Sequence, residues 1–145
     1  MKCYIFDIDG TLSNAEHRLH HIQKSPKDWD SFFGAQYLDR EHRHIVGVAF
    51  ALTRVAKLVF CSGRPETYRD TTRAWLNKTG FDPESPLYMR RANDRRDDDI
   101  VKSELLDQII LDGFDPIMAF DDRDRVVAMW RSRGVPCAQV APGNF

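Results

Sequence analysis

The chain has 145 residues, 42% hydrophobic and 11% aromatic, which suits one domain with its own core and excludes a disordered or low-complexity segment. Charged residues make up 30% with a net charge of −1 at pH 7, which excludes a strongly basic nucleic-acid coat and an acidic solvating segment. No apolar run approaches the roughly 20 residues of a membrane span, and the opening Met1-Lys2-Cys3-Tyr4-Ile5-Phe6 is cut by Asp7 and Asp9, unlike a secretory leader.

Apolar runs alternate with amphipathic stretches along the chain. Cys3 to Phe6 is a short strand ending at Asp7. Residues 13–40 carry a weaker pattern, with room for a small cap segment and no separate cap domain. Ile45 to Val55 repeats with a helical period, in a helix starting near Arg40 or Glu41. Leu58 to Cys61 is a second strand, stopped by Ser62-Gly63. Pro65 suits a first helical turn, and Thr67 to Lys78 is a helix closed by Gly80. Leu87-Tyr88-Met89 is a third strand, Asp99 to Leu111 a helix, and Ile117 to Phe120 a fourth strand ending at Asp121. A helix from Arg123 to Arg133 and a strand Ala138-Gln139-Val140 complete the pattern. Strands separated by helices predict an α/β fold with a parallel sheet. The carboxyl ends of such strands share one edge, where ligands bind. Here that edge collects Asp7, Ser62, Met89-Arg90 and Asp121.

Four clusters at that edge carry chemistry. Asp7 and Asp9, two residues apart at a strand end, face the same side, and Gly10 permits a tight turn beside them. Two such anions repel unless a cation or a proton intervenes. Ser62-Gly63-Arg64, ahead of a helix, reads as an anion cradle or as a plain turn. Lys102 stands near a helix start, against the helix dipole, where a solvated lysine is the alternative. Asp121-Asp122 behind a buried strand is costly unless a hard divalent cation such as Mg²⁺ offsets it. The balance of 17 Asp to 5 Glu and 15 Arg to 6 Lys leans the same way, toward metal and phosphate.

In this order the clusters resemble the haloacid dehalogenase superfamily, from Tyr4 to about Val140. The resemblance is closer to the 3′-phosphatase domains of phage polynucleotide kinase/phosphatases. It is carried by Asp7-Ile8-Asp9-Gly10-Thr11-Leu12, Ser62-Gly63-Arg64, Asp98-Asp99-Ile100-Val101-Lys102, Asp121-Asp122-Arg123 and the tail Val126-Val127-Ala128-Met129-Trp130-Arg131. It implies a Rossmann-like parallel sheet flanked by helices, as a single phosphatase domain over residues 1–145. It also implies a Mg²⁺-dependent phosphomonoesterase acting on the 3′-phosphate of DNA or RNA ends. Asp7 would be the nucleophile and Asp9 a protonated acid/base. Ser62 and Lys102 would hold phosphate oxygens, and Asp7, Asp9, Asp121 and Asp122 would serve the metal. Thr11, Arg18, Gly63, Arg64, Arg90, Arg91 and Arg123 would bind phosphates or shape the pocket. No GxxxxGK[ST] loop stands in these residues, so a kinase half is not expected here and a separate kinase or ligase partner is.

Two other functions compete: a phosphatase for free (deoxy)nucleoside monophosphates, and a non-catalytic module that binds phosphorylated ends beside a kinase. The intact Asp7/Asp9 pair argues against the second. His17, His20, His21, His42 and His44 read as surface or pocket-rim residues rather than metal ligands. Trp29, Phe32 and Phe33 read as a helix face packing on the core in preference to a base-stacking platform. The run Arg90-Arg91 to Arg95-Arg96 reads either as a solvated loop or as a contact to a nucleic-acid backbone. Cys3, Cys61 and Cys137, odd in number and far apart, point to a reducing, cytoplasmic setting.

Overall fold

The computed structural model describes residues Met1–Phe145. In chain order the elements are β1 (Lys2–Phe6), β2 (Ser13–Asn14), α1 (Trp29–Gly34), β3 (Arg40–Glu41), α2 (Arg43–Leu52) and β4 (Lys57–Pro65). They continue as α3 (Arg69–Thr79), β5 (Leu87–Arg90), α4 (Asp98–Leu111), β6 (Asp115–Asp121), α5 (Asp124–Ser132) and β7 (Cys137–Gln139). Short 3₁₀ turns cover Glu16–His21, Gln36–Leu38 and Glu66–Tyr68.

Alternation along β1 gives it two apolar faces, and both are buried. Cys3 and Ile5 pack with Val59, Cys61, Leu106, Ile109 and Val126, under α4 and α5. Phe6 packs with Val46, Ala49, Leu58, Phe60, Trp75 and Leu76, under α2 and α3. A strand covered on both sides belongs in a parallel sheet. The sheet has five strands in the order β5-β4-β1-β6-β7, with every pairing parallel. The fold is therefore the α/β parallel sheet flanked by helices that the pattern predicts. From β1 the chain steps outward through β4 and β5, then crosses to β6 and β7 on the other side. That reversal opens a crevice at the carboxyl end of β1, the usual place for a ligand.

Several boundaries differ from the expected ones, and the helix expected to reach Val55 ends at Leu52. The second sheet strand does not stop at Ser62-Gly63: β4 runs on to Pro65, with a bulge against β5 between Ser62 and Pro65. Consequently no α-helix begins beside Ser62; a 3₁₀ turn intervenes and α3 starts only at Arg69. The helix expected from Arg40 or Glu41 starts at Arg43, because Arg40 and Glu41 pair antiparallel with Asn14 and Ser13. This small ladder closes the stem of the segment between β1 and α2. Trp75 and Thr72 of α3 hold the segment down, Trp75 donating to the Asp39 carbonyl at 2.9 Å and Thr72 to Gln36 at 3.0 Å. No helix is long and apolar enough to cross a membrane, and Cys3, Cys61 and Cys137 are free thiols.

Candidate active site

Asp7 follows the last residue of β1, and its backbone N–H still bonds Phe120 of β6 at 3.0 Å. Its carboxylate is buried and aimed by two donors. Thr11 Oγ1 donates to Oδ2 at 2.9 Å, and Lys102 Nζ to Oδ1 at 2.7 Å. Gly10 turns the chain at φ +80°, and a Cβ there would stand 2.1 Å from Asp122 Oδ2. Only glycine meets both demands, so the turn brings Asp122 against the first cluster.

Asp121, the last residue of β6, is fully engaged by the protein. The backbone N–H groups of Asp122 and Arg123 bond its Oδ1, and Lys102 Nζ and Trp130 Nε1 bond its Oδ2 at 2.9 and 3.2 Å. Asp122 has no side-chain donor. Burial and then Asp121 push its pKa up, and burial and Asp121 likewise raise that of Asp7, against the pull of Lys102. For Lys102, burial favours the neutral amine, but Asp121, Asp7 and Asp98 override it and hold the ammonium charged. Asp7, Asp121 and Asp122 each bring an oxygen within 4.8 Å of the others. An all-oxygen, buried, electron-rich set of this kind fits a hard cation. Asp7, Asp121 and Asp122 could hold it together, with Asp7 and Asp121 also pairing with Lys102 and Asp122 accepting from no other side chain.

Asp9 points elsewhere. Its Oδ1 accepts from Arg18 Nη2 at 2.5 Å and Arg64 Nη2 at 2.6 Å, and Arg64 Nε lies within 3.2 Å of both oxygens. Burial alone would raise its pKa, but Arg64 and Arg18 override that and hold the carboxyl well below its usual range. The residue expected as the acid/base thus has its carboxylate paired with Arg18 and Arg64, outside the acidic cluster. Arg18 and Arg64 are fully buried and bond the Asp9 carboxylate, which places them to shape the pocket. Thr11 is likewise buried, and its hydroxyl donates to Asp7.

Ser62 is buried at the carboxyl half of β4; its Oγ accepts from the Arg64 N–H at 3.1 Å and donates to no protein acceptor. With α3 starting later, the expected cradle lacks its helix terminus. Gly63 has a different reason to be glycine: a Cβ there would lie 2.0 Å from Asp98 Oδ1. Asp98, which the sequence reading missed, lies within ion-pair distance of Arg90 at 3.3 Å, Lys102 at 3.8 Å and Arg123 at 3.9 Å. Its signal was its place one helical turn ahead of Lys102. Asp39 was also missed. It is buried, bonding Arg18 Nε at 2.8 Å and His17 at 2.7 Å.

The remaining arginines divide. Arg90 is a strut whose Nε donates to the Gly63 carbonyl at 2.8 Å and whose Nη1 donates to the carbonyls of Asp94 and Arg96. Arg123 donates to the Phe145 carbonyl at 2.7 Å and stays half-buried beside Asp98. Arg96 is neutralised by Asp94 and Glu104. Arg91 and Arg95 are exposed, and neither is among the ion-paired arginines.

The family model for the polynucleotide kinase PNKP phosphatase domain matches residues 1–145. A protein of Autographa californica nuclear polyhedrosis virus, assigned as a bifunctional polynucleotide kinase/RNA ligase, is 38% identical over 141 residues, which are 93% of this chain and 18% of that protein. A chain of the Pnkp1/Rnl/Hen1 complex superposes with a TM-score of 0.83 at 32% identity, over 99% of this chain and 46% of that one. The chain thus spans less than half the length of these two relatives. A class C acid phosphatase from Bacillus anthracis with tungstate bound shares the fold, with a TM-score of 0.66 at 16% identity over 99% of this chain and 67% of that one. A match along the entire chain, on a haloacid dehalogenase fold whose strand ends gather these carboxylates, makes this protein a phosphatase, a member of the polynucleotide kinase PNKP phosphatase domain family.

Proposed function

We propose that the chain removes the 3′-phosphate from a DNA or RNA end in a Mg²⁺-dependent reaction that passes through an aspartyl-phosphate on Asp7. The observation that carries this reading is the setting of Asp7, a buried carboxylate fixed by Thr11 and Lys102 beside the donor-free Asp122. An Asp7 oxygen attacks phosphorus in line, and the bond from phosphorus to the 3′ oxygen breaks. The leaving oxygen takes a proton from Asp9. Water then attacks the acyl-phosphate and returns a proton to Asp9, releasing inorganic phosphate and leaving a 3′-hydroxyl. Donation in the first step requires Asp9 to turn off Arg18 and Arg64 and take up a proton. Ser62 and Lys102 supply positioned donors for non-bridging oxygens. Bound at Asp7 and Asp122, with the Asp9 carbonyl as a further ligand, Mg²⁺ would offset the charge of the transferring phosphoryl group.

Residues 13–40 act in this reading as a small cap on a single domain, leaving a mouth open enough for a polymer end. A separate ligase would use the 3′-hydroxyl ends produced, and a separate kinase would supply the 5′-phosphate that such joining needs.

The test is phosphate release from a 3′-phosphorylated oligonucleotide against 3′- and 5′-mononucleotides. The oligonucleotide should be the better substrate. Chelator should stop the reaction, and Mg²⁺, not Zn²⁺, should restore it. Preference for mononucleotides would assign a nucleotide phosphatase instead, and full activity in excess chelator would remove the metal.

Arg91 and Arg95 are the cations free to track a backbone. Neutralising both should lower the log–log salt slope of oligonucleotide binding by roughly one unit per lost phosphate contact, with turnover of a small phosphate ester unchanged. An unchanged slope would make the loop a solvated surface. Arg96, already paired, should show no such effect.

A further inference from the structure

The aromatic residues of α1 do not all pack on the core. Phe32 does, at 7% exposed, but Trp29 stands 47% exposed. Phe33 bridges Trp29 to Tyr68, which follows β4 at the active edge. Ring centroids lie 5.8 Å apart for Trp29–Phe33, with planes 24° from parallel, and 5.3 Å apart for Phe33–Tyr68, at 36°. The surface is held in place: Tyr68 donates to Asp30 at 3.2 Å, and Asp28 accepts from the Ser31 N–H at 3.0 Å to cap α1. It is also joined to the site. Phe32 meets Phe33 edge-on at 5.3 Å and carries the Arg18 guanidinium 4.3 Å from its ring centroid, and Arg18 reaches Asp9. Lys27, 5.7 Å from the Trp29 ring, adds a cation at the outer end.

We propose that Trp29, Phe33 and Tyr68 form a stacking platform for a nucleobase of the strand whose terminal phosphate enters at Asp7. This rests on the polynucleotide-end reading above. Phe32 and Phe33 pack on part of Trp29, and 47% of its surface stays open to a ligand. Aromatic rings fixed in place, on a chain of contacts that reaches Asp9, suit a base-tolerant, single-stranded end, because every base offers a π-face. A simple phosphate ester has nothing to place there.

Trp29 reports on this directly, since Trp75 and Trp130 are 0% and 1% exposed. A 3′-phosphorylated oligonucleotide added to the Asp7→Asn protein should quench the exposed tryptophan. In the active protein, KM should be lower for an oligonucleotide with intact terminal nucleosides than for one whose last two sugars lack bases. Trp29→Ala should raise KM for the intact end by about five- to a hundredfold, leave the abasic end unchanged and barely alter kcat. Trp29→Tyr should restore most of the difference. Equal KM values for the two ends in wild type, or an equal loss on both in Trp29→Ala, would overturn the platform while leaving the polynucleotide reading intact. Failure of wild type to hydrolyse either oligonucleotide, with mononucleotides still cleaved, would overturn the underlying reading and the platform with it.

Discussion

Asp7→Asn should abolish phosphate release, by at least about a thousandfold, while the protein stays folded. An amide cannot form an acyl-phosphate, and the replacement is nearly isosteric. The fold should tolerate it for an electrostatic reason. Lys102 loses one counter-charge but keeps Asp121 at 2.9 Å, so its buried ammonium is not orphaned. At the same time Asp121 and Asp122 lose a like-charged neighbour. Thr11 keeps an acceptor in the amide oxygen. The melting temperature should therefore stay within a few degrees of wild type. Wild type incubated briefly with a substrate labelled in the phosphate should carry label on the protein, and the variant should carry none. Residual turnover above a few per cent would remove Asp7 as nucleophile.

What could be read in advance was what is local in the chain. An apolar run ending in Asp7-Ile8-Asp9-Gly10 declares a strand end with two carboxylates, and Phe120-Asp121-Asp122 declares another. Parallel strands then bring both to one edge. What escaped was set by partners far away in sequence. Ser62-Gly63 looks like a stop signal because glycine weakens a strand. The strand continues because the bare Gly63 backbone is where Asp98, from a helix three elements later, fits. Arg18 and Arg64 could be marked as phosphate-seeking arginines from residue type alone. Their actual task depends on Asp9, 55 residues from Arg64, and on Asp39, 21 residues from Arg18. No local pattern distinguishes Asp39, in Tyr37-Leu38-Asp39-Arg40, from a surface turn acid. The exposure of Trp29 was misjudged for a related reason. Three aromatics at helical spacing predict one buried face, but the helix has only six residues and buries Phe32 alone.

Asp39→Ala should cost the most stability of any single change around the site. Its side chain is wholly buried, bonding Arg18 through Nε at 2.8 Å and Nη2 at 2.6 Å, with Arg64 Nη2 at 3.5 Å. Without it, two buried guanidiniums share one carboxylate, Asp9. Breaking a buried ion pair from one side costs about 3–5 kcal/mol, because the surviving charge is left uncompensated in a poorly solvating interior. For a chain of this length that is a fall in melting temperature on the order of 10 °C. The backbone carbonyl of Asp39 still receives Trp75, so the loss belongs to the carboxylate and not to the turn. A second substitution separates the two explanations. Arg18→Met in the Asp39→Ala background removes the orphaned charge, keeps an unbranched chain against the Phe32 ring, and leaves Arg64 paired with Asp9. That double variant should regain much of the lost stability. If Asp39→Ala melts within a couple of degrees of wild type, or if Arg18→Met adds a further loss of similar size, the network is not held together by charge compensation around Arg18.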